Sequence, residues 1–383
     1  MNKDTLYLLL DYYTFASTKD NGTPAITADT TALVLYAPDT TGPVVSNAYY
    51  DFQSGLIQIY LSEPALKSAV STNSLNFQSV DAASVFSGST ISSSDTVSDY
   101  ASDFIITLSD TGNQAMEAIS DVAKTSFEMN FVTGAFSGAD NATSLADTVG
   151  ADYGRHFWIT SFEAFPSATE KRFCSIGYIG DQCDVLVDTS VTGLNDSLIA
   201  AIAMAFEDTI TFDAVLPQYD STTVSIANTV QSFTGQEKDT DGNEKIIFVF
   251  TDIKDEWGLG RNDTKSSLFV HGYSTPNDTI VGGQYSNEGE IIYIDTNPLD
   301  ITSSDSDLNV LLHAITHEYT RMCIQHNKPD EEPWILEAVG QLLQKKIFGD
   351  VVFFGTGTSP STSTGNQLTY ISTGVNKLKG RTD

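Results

Sequence analysis

Short runs in which apolar and polar residues alternate dominate the first 140 positions and predict β-strands. Strand-like runs occur at 56–61, 104–108 and 127–132. The first run is expected to end at 62–64, which reads Ser-Glu-Pro, and the Ser/Thr-rich stretch 87–98 predicts a polar loop. Evenly spaced short strands with such turns, and no long helical periodicity, are typical of a β-sandwich.

From about residue 150 the pattern changes to a mixture of strands and longer helices. Continuous apolar runs at 246–250 and 291–295 predict strands that are buried on both faces. Further strand-like runs occur at 157–159, 172–179 and 184–188. Helical periodicity occurs at 198–212 and in two longer stretches near 305–327 and 331–347. This order of elements predicts an α+β domain.

The patterns predict a multidomain chain with four segments. The expected segments are an N-terminal strand segment or the end of a preceding module (1–38), an all-β sandwich (39–148), an α+β domain (149–350) and a flexible polar tail (351–383). An apolar run at 6–10 follows Lys3, but Asp11 interrupts it. We therefore interpret 1–14 as an ordinary strand rather than a signal peptide.

Acidic residues outnumber basic ones strongly. The chain has 383 residues, 50 Asp+Glu, 19 Lys+Arg and a formal net charge of −31. Such a surface repels phosphate backbones and anionic lipids, which argues against nucleic-acid partners. No run of about 18 apolar residues is present, so no transmembrane segment is expected. Three cysteines, at 174, 183 and 323, predict no disulfide framework, and Cys323 is expected to be a buried small hydrophobe.

The longer predicted helix carries the candidate chemistry. Its expected core face consists of Leu308, Leu311, Leu312, Ile315, Tyr319 and Met322, at three- and four-residue steps. His313, His317 and Arg321 step by four along a separate stripe, with Glu318 beside it. In a His-Glu-x-x-His zinc peptidase, two histidines one turn apart bind zinc and the glutamate activates the metal-bound water. The next helix, with Glu337 in its first turns, is where a third ligand would lie.

Two segments of the N-terminal part resemble bacterial Ig-like modules of surface-layer proteins. Residues 39–45 read Asp-Thr-Thr-Gly-Pro-Val-Val, and 59–64 read Ile-Tyr-Leu-Ser-Glu-Pro. Modules of that kind open with Asp-Thr-Thr-x-Pro and end a strand with Ser-Glu-Pro. The resemblance covers about 40–140 and implies an Ig-like sandwich that acts as a spacer or adhesive unit.

The C-terminal part resembles hyicolysin-type bacterial neutral zinc metallopeptidases across roughly 155–350. The segments that carry the resemblance are 172–188, 239–243 leading into 246–253, 286–288 leading into 291–295, the helix with His317-Glu318, and the Trp334-x-x-Glu337 turn. The resemblance implies a zincin-like fold, a zinc cofactor and protein or peptide substrates. It also implies that His317 and Glu337 are metal ligands and that Glu318 is the catalytic general base.

Arg321 departs from this family pattern, because the family has a zinc-binding histidine there. Arginine stays protonated and has no lone pair to donate. A fixed cation about 3–5 Å from a dication costs several kcal/mol even at an effective dielectric near 20. We therefore expect the guanidinium to pair with Glu318 or Glu337 and block the metal site, so that zinc is absent or weakly bound. The family also continues with a helical portion where this chain turns polar.

Three functions remain open from the sequence. The favoured hypothesis is a secreted or surface metallopeptidase-like protein, catalytically inactive, that binds protein or peptide partners outside the bacterial cell. The second is an active zinc endopeptidase with a rearranged site in which His313 joins His317 and Glu337. One helical turn shifts such a site by about 5.4 Å and would misplace Glu318 as the base. The third is a non-enzymatic surface adhesion or structural protein.

Other chemistry-bearing residues have simpler interpretations. Asp239, Asp241 and Asn243 resemble the start of a calcium loop, but position 250, where the closing glutamate of a twelve-residue loop would fall, is phenylalanine. We interpret this segment as a turn before a strand. His156 and His271 are expected to be structural, and His326 to be a surface or capping residue.

Overall fold

A computed structural model describes residues 42–77, 80–138, 144–162, 168–194, 196–208, 210–211, 223–255, 270–297 and 305–348. Its strands are β1 (Val45–Asp51), β2 (Leu56–Leu66), β3 (Leu75–Phe77), β4 (Thr90–Ser92), β5 (Tyr100–Thr107), β6 (Glu128–Phe131), β7 (Asp147–Gly150), β8 (Asp152–Ser161), β9 (Ala168–Ile179), β10 (Cys183–Asp188), β11 (Ile210–Thr211), β12 (Thr223–Val224), β13 (Ile246–Thr251), β14 (Gly272–Tyr273) and β15 (Ile291–Asp295). Its helices are α1 (Ala82–Phe86), α2 (Asp110–Glu117), α3 (Asp121–Thr125), α4 (Asp196–Glu207), α5 (Ile226–Thr234), α6 (Asp305–Asn327) and α7 (Pro333–Phe348).

A mixed ten-stranded sheet organises the described residues, in the order β14-β15-β13-β10-β9-β8-β1-β2-β5-β4. β10, β13 and β15 are parallel neighbours, and β14 is antiparallel to β15 at one end of this order. Every residue of β13 and β15 is buried. The two continuous apolar runs are therefore confirmed as strands covered on both faces.

Alternate residues of these strands supply two different cores. Phe248 and Ile292 pack with the apolar faces of α4, α5, α6 and α7 in one core. Val249 and Tyr293 pack with Phe157 of β8 in another core on the opposite face. Because side chains alternate along a strand, each apolar run fills both layers at once. The helices therefore lie on one face of the parallel part of the sheet.

The two C-terminal helices occupy the predicted stretches closely. On α6, Leu311, Ile315 and Tyr319 are fully buried in the helix-side core, as the three- and four-residue spacing predicts. α4 ends at Glu207, so the predicted helix 198–212 is too long at its C-terminal end.

The N-terminal strands continue the same large sheet. β1 runs parallel to β8, which connects β2, β5 and β4 to the strands of the C-terminal part. A separate three-stranded sheet, β3-β6-β7, shares one apolar core with β1, β2 and β5. Three short helices, α1 to α3, also lie in this part. The described residues thus form an α+β arrangement, and the Ig-like and zincin-like assignments stay predictions.

Some local expectations were wrong. β2 does not end at 62–64 but continues to Leu66. Its register against β5 is irregular between Tyr60 and Ala65, and Pro64 lies within this irregular stretch, where a strand tolerates proline. The stretch 87–98, expected to be a polar loop, contains β4.

Cys174, Cys183 and Cys323 are free and buried, in line with the expected absence of a disulfide framework. The expected strand at 1–14 and the expected tail at 351–383 lie outside the described residues.

Candidate functional site

The candidate site lies where α6 and α7 pack side by side in opposite directions. Gln344 of α7 donates a hydrogen bond from Nε2 to the backbone oxygen of His313, at 3.0 Å. One turn further along α6, His317 lies against Gly340 of α7. A further turn along, Arg321 approaches Glu337. Successive turns of α6 therefore contact successively earlier turns of α7. This antiparallel packing places the predicted residues at 317 and 321 next to Glu337.

His317 and Glu337 contact each other directly. His317 Nε2 lies 3.1 Å from Glu337 Oε2, and the His317 side chain is only 6% exposed. Burial raises the pKa of Glu337, but the hydrogen bond and electrostatic interaction with His317 and the positive charge of Arg321 outweigh it and lower that pKa overall. These two neighbours therefore favour the charged form of the Glu337 carboxylate.

Gly340 is part of this contact, and sequence reasoning missed it. A β-carbon placed on Gly340 would lie 2.7 Å from His317 Nδ1 and 3.1 Å from its Cε1. Such distances are too short for any side chain, so the imidazole ring occupies the space that a larger residue would fill. A glycine inside a helix, three residues after Glu337, was the available signal, because glycine there costs helix stability unless close packing requires it.

Glu318 is held by groups on both sides. Arg321 donates from Nη1 to both carboxylate oxygens of Glu318, at 3.1 Å each. The backbone N–H and the hydroxyl of Ser274, just after β14, donate to Glu318 Oε2 at 3.0 Å. The negative charge of Glu318 raises the pKa of Arg321, burial opposes this, and Glu337 reinforces it. Arg321 thus stays charged between two carboxylates, with its Nε 3.9 Å from Glu337 Oε1.

These residues do not fit a zinc ion. The guanidinium of Arg321 occupies the position one turn after His317 and donates hydrogen bonds instead of a lone pair. His317 Nε2 is already in contact with Glu337, and Glu318 accepts hydrogen bonds from Arg321 and Ser274. Within the described ranges, the group of acidic, histidine or cysteine side chains close enough to hold a metal lies elsewhere. The side chains at 317, 318, 321 and 337 therefore contact one another, and Arg321 Nε is left without a hydrogen-bond partner among the described residues.

His313 is not brought to the other site residues. Its ring stacks on Phe348, with centroids 4.1 Å apart and planes 30° from parallel, and its Nδ1 lies 2.7 Å from the backbone oxygen of Asn309. Phe348 is eleven residues after Glu337, about 16 Å further along α7. His313 is fully buried in this packing. The geometry offers no support for the alternative site in which His313 joins His317 and Glu337.

The remaining histidines occupy different surroundings. His156 Nδ1 lies 2.7 Å from Asp51 Oδ2, and the contact ties β8 to β1. His271 is buried, and burial lowers its pKa to about 4. His326 is exposed near the end of α6. These positions agree with the structural and surface interpretations of the sequence.

A largely apolar groove of about 360 Å³ lies beside Glu318. Its walls are Lys238, Ser274, Thr275, Pro276, Thr279, Ile280, Gly289, Glu290, Ile291, Met322, Gln325, His326 and Pro329. Ser274 belongs both to this wall and to the hydrogen bonds of Glu318. Ser274 therefore links the groove to Glu318, although neither Glu318 nor Arg321 lines it, and the groove lies next to β14 at the end of the described sheet.

Across the described ranges, the helices fall short of the length and apolarity needed to cross a lipid bilayer. In comparisons with known proteins, no family model matches the chain and no curated protein matches it.

Proposed function

We propose that residues 149–350 form a metallopeptidase-like domain that is catalytically inactive and binds protein or peptide partners. The observation that carries the proposal is the pairing of Arg321 with Glu318, one turn after His317. A glutamate that acts as a general base must reach a water molecule polarised by a metal. Here both oxygens of Glu318 accept hydrogen bonds from a permanent cation, and Oε2 also accepts two from Ser274, so the carboxylate is already engaged by protein donors.

The groove beside Glu318 supports the binding part of the proposal. It combines apolar walls, including Ile280, with polar groups at Ser274, a composition suited to an extended peptide. β14 lies at the end of the described sheet order, where an extended peptide can add as a further strand. The net charge of −31 favours peptides that carry basic residues. From the family resemblance alone, we also propose that the protein acts outside the cell or at its surface.

The metal part is tested by substituting Arg321→His and titrating zinc. Purified wild-type protein should contain no stoichiometric zinc and cleave no casein, whereas the variant should bind about one zinc ion per chain through positions 317, 321 and 337. Arg321→Met is the matched control, because it removes the charge without adding a donor, and it should not acquire tight zinc. About one tightly bound zinc in the wild type would refute the proposal. Chelator-sensitive cleavage that Glu318→Gln abolishes would also refute it.

The binding part is tested with peptides selected against the purified protein from a random library. Ile280 is 52% exposed and lines the groove, whereas its neighbour Val281 is 70% exposed and does not. Ile280→Asp should weaken a selected peptide at least tenfold, and the matched Val281→Asp should leave it unchanged. Equal effects of the two substitutions, or none, would contradict a groove-binding function.

A further inference from the structure

Three acidic side chains meet at the amino-terminal ends of the parallel strands β13 and β15. Asp239 and Asp241 lie in the turn before β13, and Glu290 immediately precedes β15. β13 and β15 are parallel partners with Ile247 opposite Ile291, so their amino-terminal ends lie together. One carboxylate oxygen from each acidic residue lies within 4.8 Å of the other two.

Glu290 supplies a second and independent observation. The residue is only 1% exposed. Its Oε1 accepts a hydrogen bond from the backbone N–H of Thr240, at 2.9 Å, but its Oε2 is buried without a hydrogen-bond partner in the described part of the chain. An unpaired buried carboxylate oxygen is strongly unfavourable, so this oxygen requires a cation or an ordered water.

The turn holds the other two carboxylates toward the same point. Asp239 Oδ1 accepts hydrogen bonds from the backbone N–H groups of Gly242, at 2.9 Å, and Glu244, at 3.3 Å. Gly242 has a φ of +77°, which glycine adopts without strain. Asp241 accepts from the backbone and side-chain amides of Asn243. Hydrogen bonds within the turn 239–244 therefore orient both aspartate side chains.

No side-chain cation in the described residues neutralises the cluster by direct pairing. The guanidinium of Arg155 is close enough to Asp241 to act on its pKa, but its hydrogen bond goes to the backbone oxygen of Asn287. Three carboxylates held this closely repel one another, and a cation between them would offset that repulsion.

We propose that Asp239, Asp241 and Glu290 bind a calcium ion. All three donors are carboxylate oxygens, the hard ligands that Ca²⁺ and Mg²⁺ prefer over zinc. The three carboxylate oxygens lie within 4.8 Å of one another, close enough for one cation to contact all three. Ca²⁺ accepts several carboxylates in a flexible oxygen shell, whereas Mg²⁺ keeps most of its waters and binds through one or two carboxylates, so a site with three carboxylates favours calcium. Asp239 also lines a polar cavity of about 450 Å³, through which an ion and its waters reach the site.

This ligand set differs from the twelve-residue loop considered in the sequence. In such a loop the closing glutamate follows in the same segment, at a position that Phe250 occupies here. In the structure the third carboxylate comes from Glu290, 49 residues after Asp241, because β15 pairs with β13. The calcium ion would tie the turn before β13 to the start of β15.

The test is a titration of the purified full chain with calcium chloride, up to about 10 mM, followed by calorimetry and thermal unfolding. The wild type should bind about one Ca²⁺ per chain at this site, with a melting temperature that rises by about 3 °C or more once the site is saturated. Asp241→Asn and Glu290→Gln should each weaken binding at least tenfold. Glu244→Gln is the matched control, since it removes one charge from the same turn but no ligand, and its affinity should equal that of the wild type.

Asp241 is exposed, so Asp241→Asn tests the site even where Glu290→Gln fails to fold. No calcium-dependent rise in melting temperature in the wild type would overturn the proposal, and so would an equal affinity of Asp241→Asn. Magnesium binding as tight as calcium binding would overturn the assignment of the ion. Arg321→His leaves these three residues unchanged, so its calcium affinity should match the wild type, and the calcium result does not depend on the zinc result.

Discussion

Replacing Arg321 by methionine should destabilise the protein in a strongly pH-dependent way. Methionine keeps much of the apolar stem but removes the guanidinium that bonds both oxygens of Glu318 and approaches Glu337. Glu318 is 8% exposed and Arg321 28% exposed, so the pair lies between a surface and a fully buried ion pair. Removing one partner of a fully buried pair costs about 3–5 kcal/mol, and an exposed pair contributes about 0–1 kcal/mol. We expect a loss of about 2 kcal/mol at pH 7.

The sign of the pH dependence follows from Glu337. Its pKa in the folded protein is lowered, partly by the charge of Arg321. A depressed carboxylate pKa contributes stability above the unfolded value, near 4.5, and this contribution is lost as the pH falls through the folded value. In Arg321→Met the pKa of Glu337 should rise. The difference in stability between wild type and variant should therefore be largest at neutral pH and should shrink below about pH 4.5.

Chemical denaturation of both proteins at several pH values between about 3 and 7 measures this difference directly. A double-mutant cycle with Glu318→Gln isolates the pair and should give a coupling free energy of about 1–2 kcal/mol at pH 7. Arg172→Met offers a comparison, because Arg172 also bonds two carboxylates, Glu170 and Asp188, far from the α6–α7 contact. A stability loss for Arg321→Met that is independent of pH, or a coupling near zero, would refute the electrostatic reasoning.

Three further predictions concern other packed groups. Gly340→Ala places a methyl 2.7 Å from the His317 ring, so the ring must move and the protein should lose about 1 kcal/mol, seen as a lower melting temperature despite the higher helix propensity of alanine. His313→Ala removes a fully buried ring and should cost about 2–4 kcal/mol, while zinc affinity in an Arg321→His background should remain unchanged. His271 has a folded pKa of about 4, below its ordinary value of 6.5, so the unfolded chain binds more protons between these two values. The free energy of unfolding should therefore fall as the pH drops from about 6.5 toward 4. In the His271→Gln variant, the free energy of unfolding should depend less on pH over the same range.

The sequence by itself determined the elements whose patterns are long or uniform. The run at 246–250 has no polar residue to place in solvent, and the run at 291–295 is interrupted by a charged residue only at its last position, Asp295, so a doubly covered strand fits both. The three- and four-residue spacing along 305–327 likewise specified both α6 and its buried face. The stripe that carries His317 and Arg321 followed from the same helical period. The sequence also predicted that the guanidinium pairs with Glu318 or Glu337, but it left the choice open, and the structure has it bonded to Glu318.

Only the tertiary structure decided contacts between segments that are distant in the chain. The seating of His317 against Gly340 and the placement of His313 on Phe348 depend on how α6 and α7 align. The meeting of Glu290 with the turn before β13 depends on strand pairing. Local patterns report which face of an element is apolar, whereas the register between two elements is set by the summed packing of many side chains. No single motif encodes that sum, so the site's partners emerged only from the folded chain.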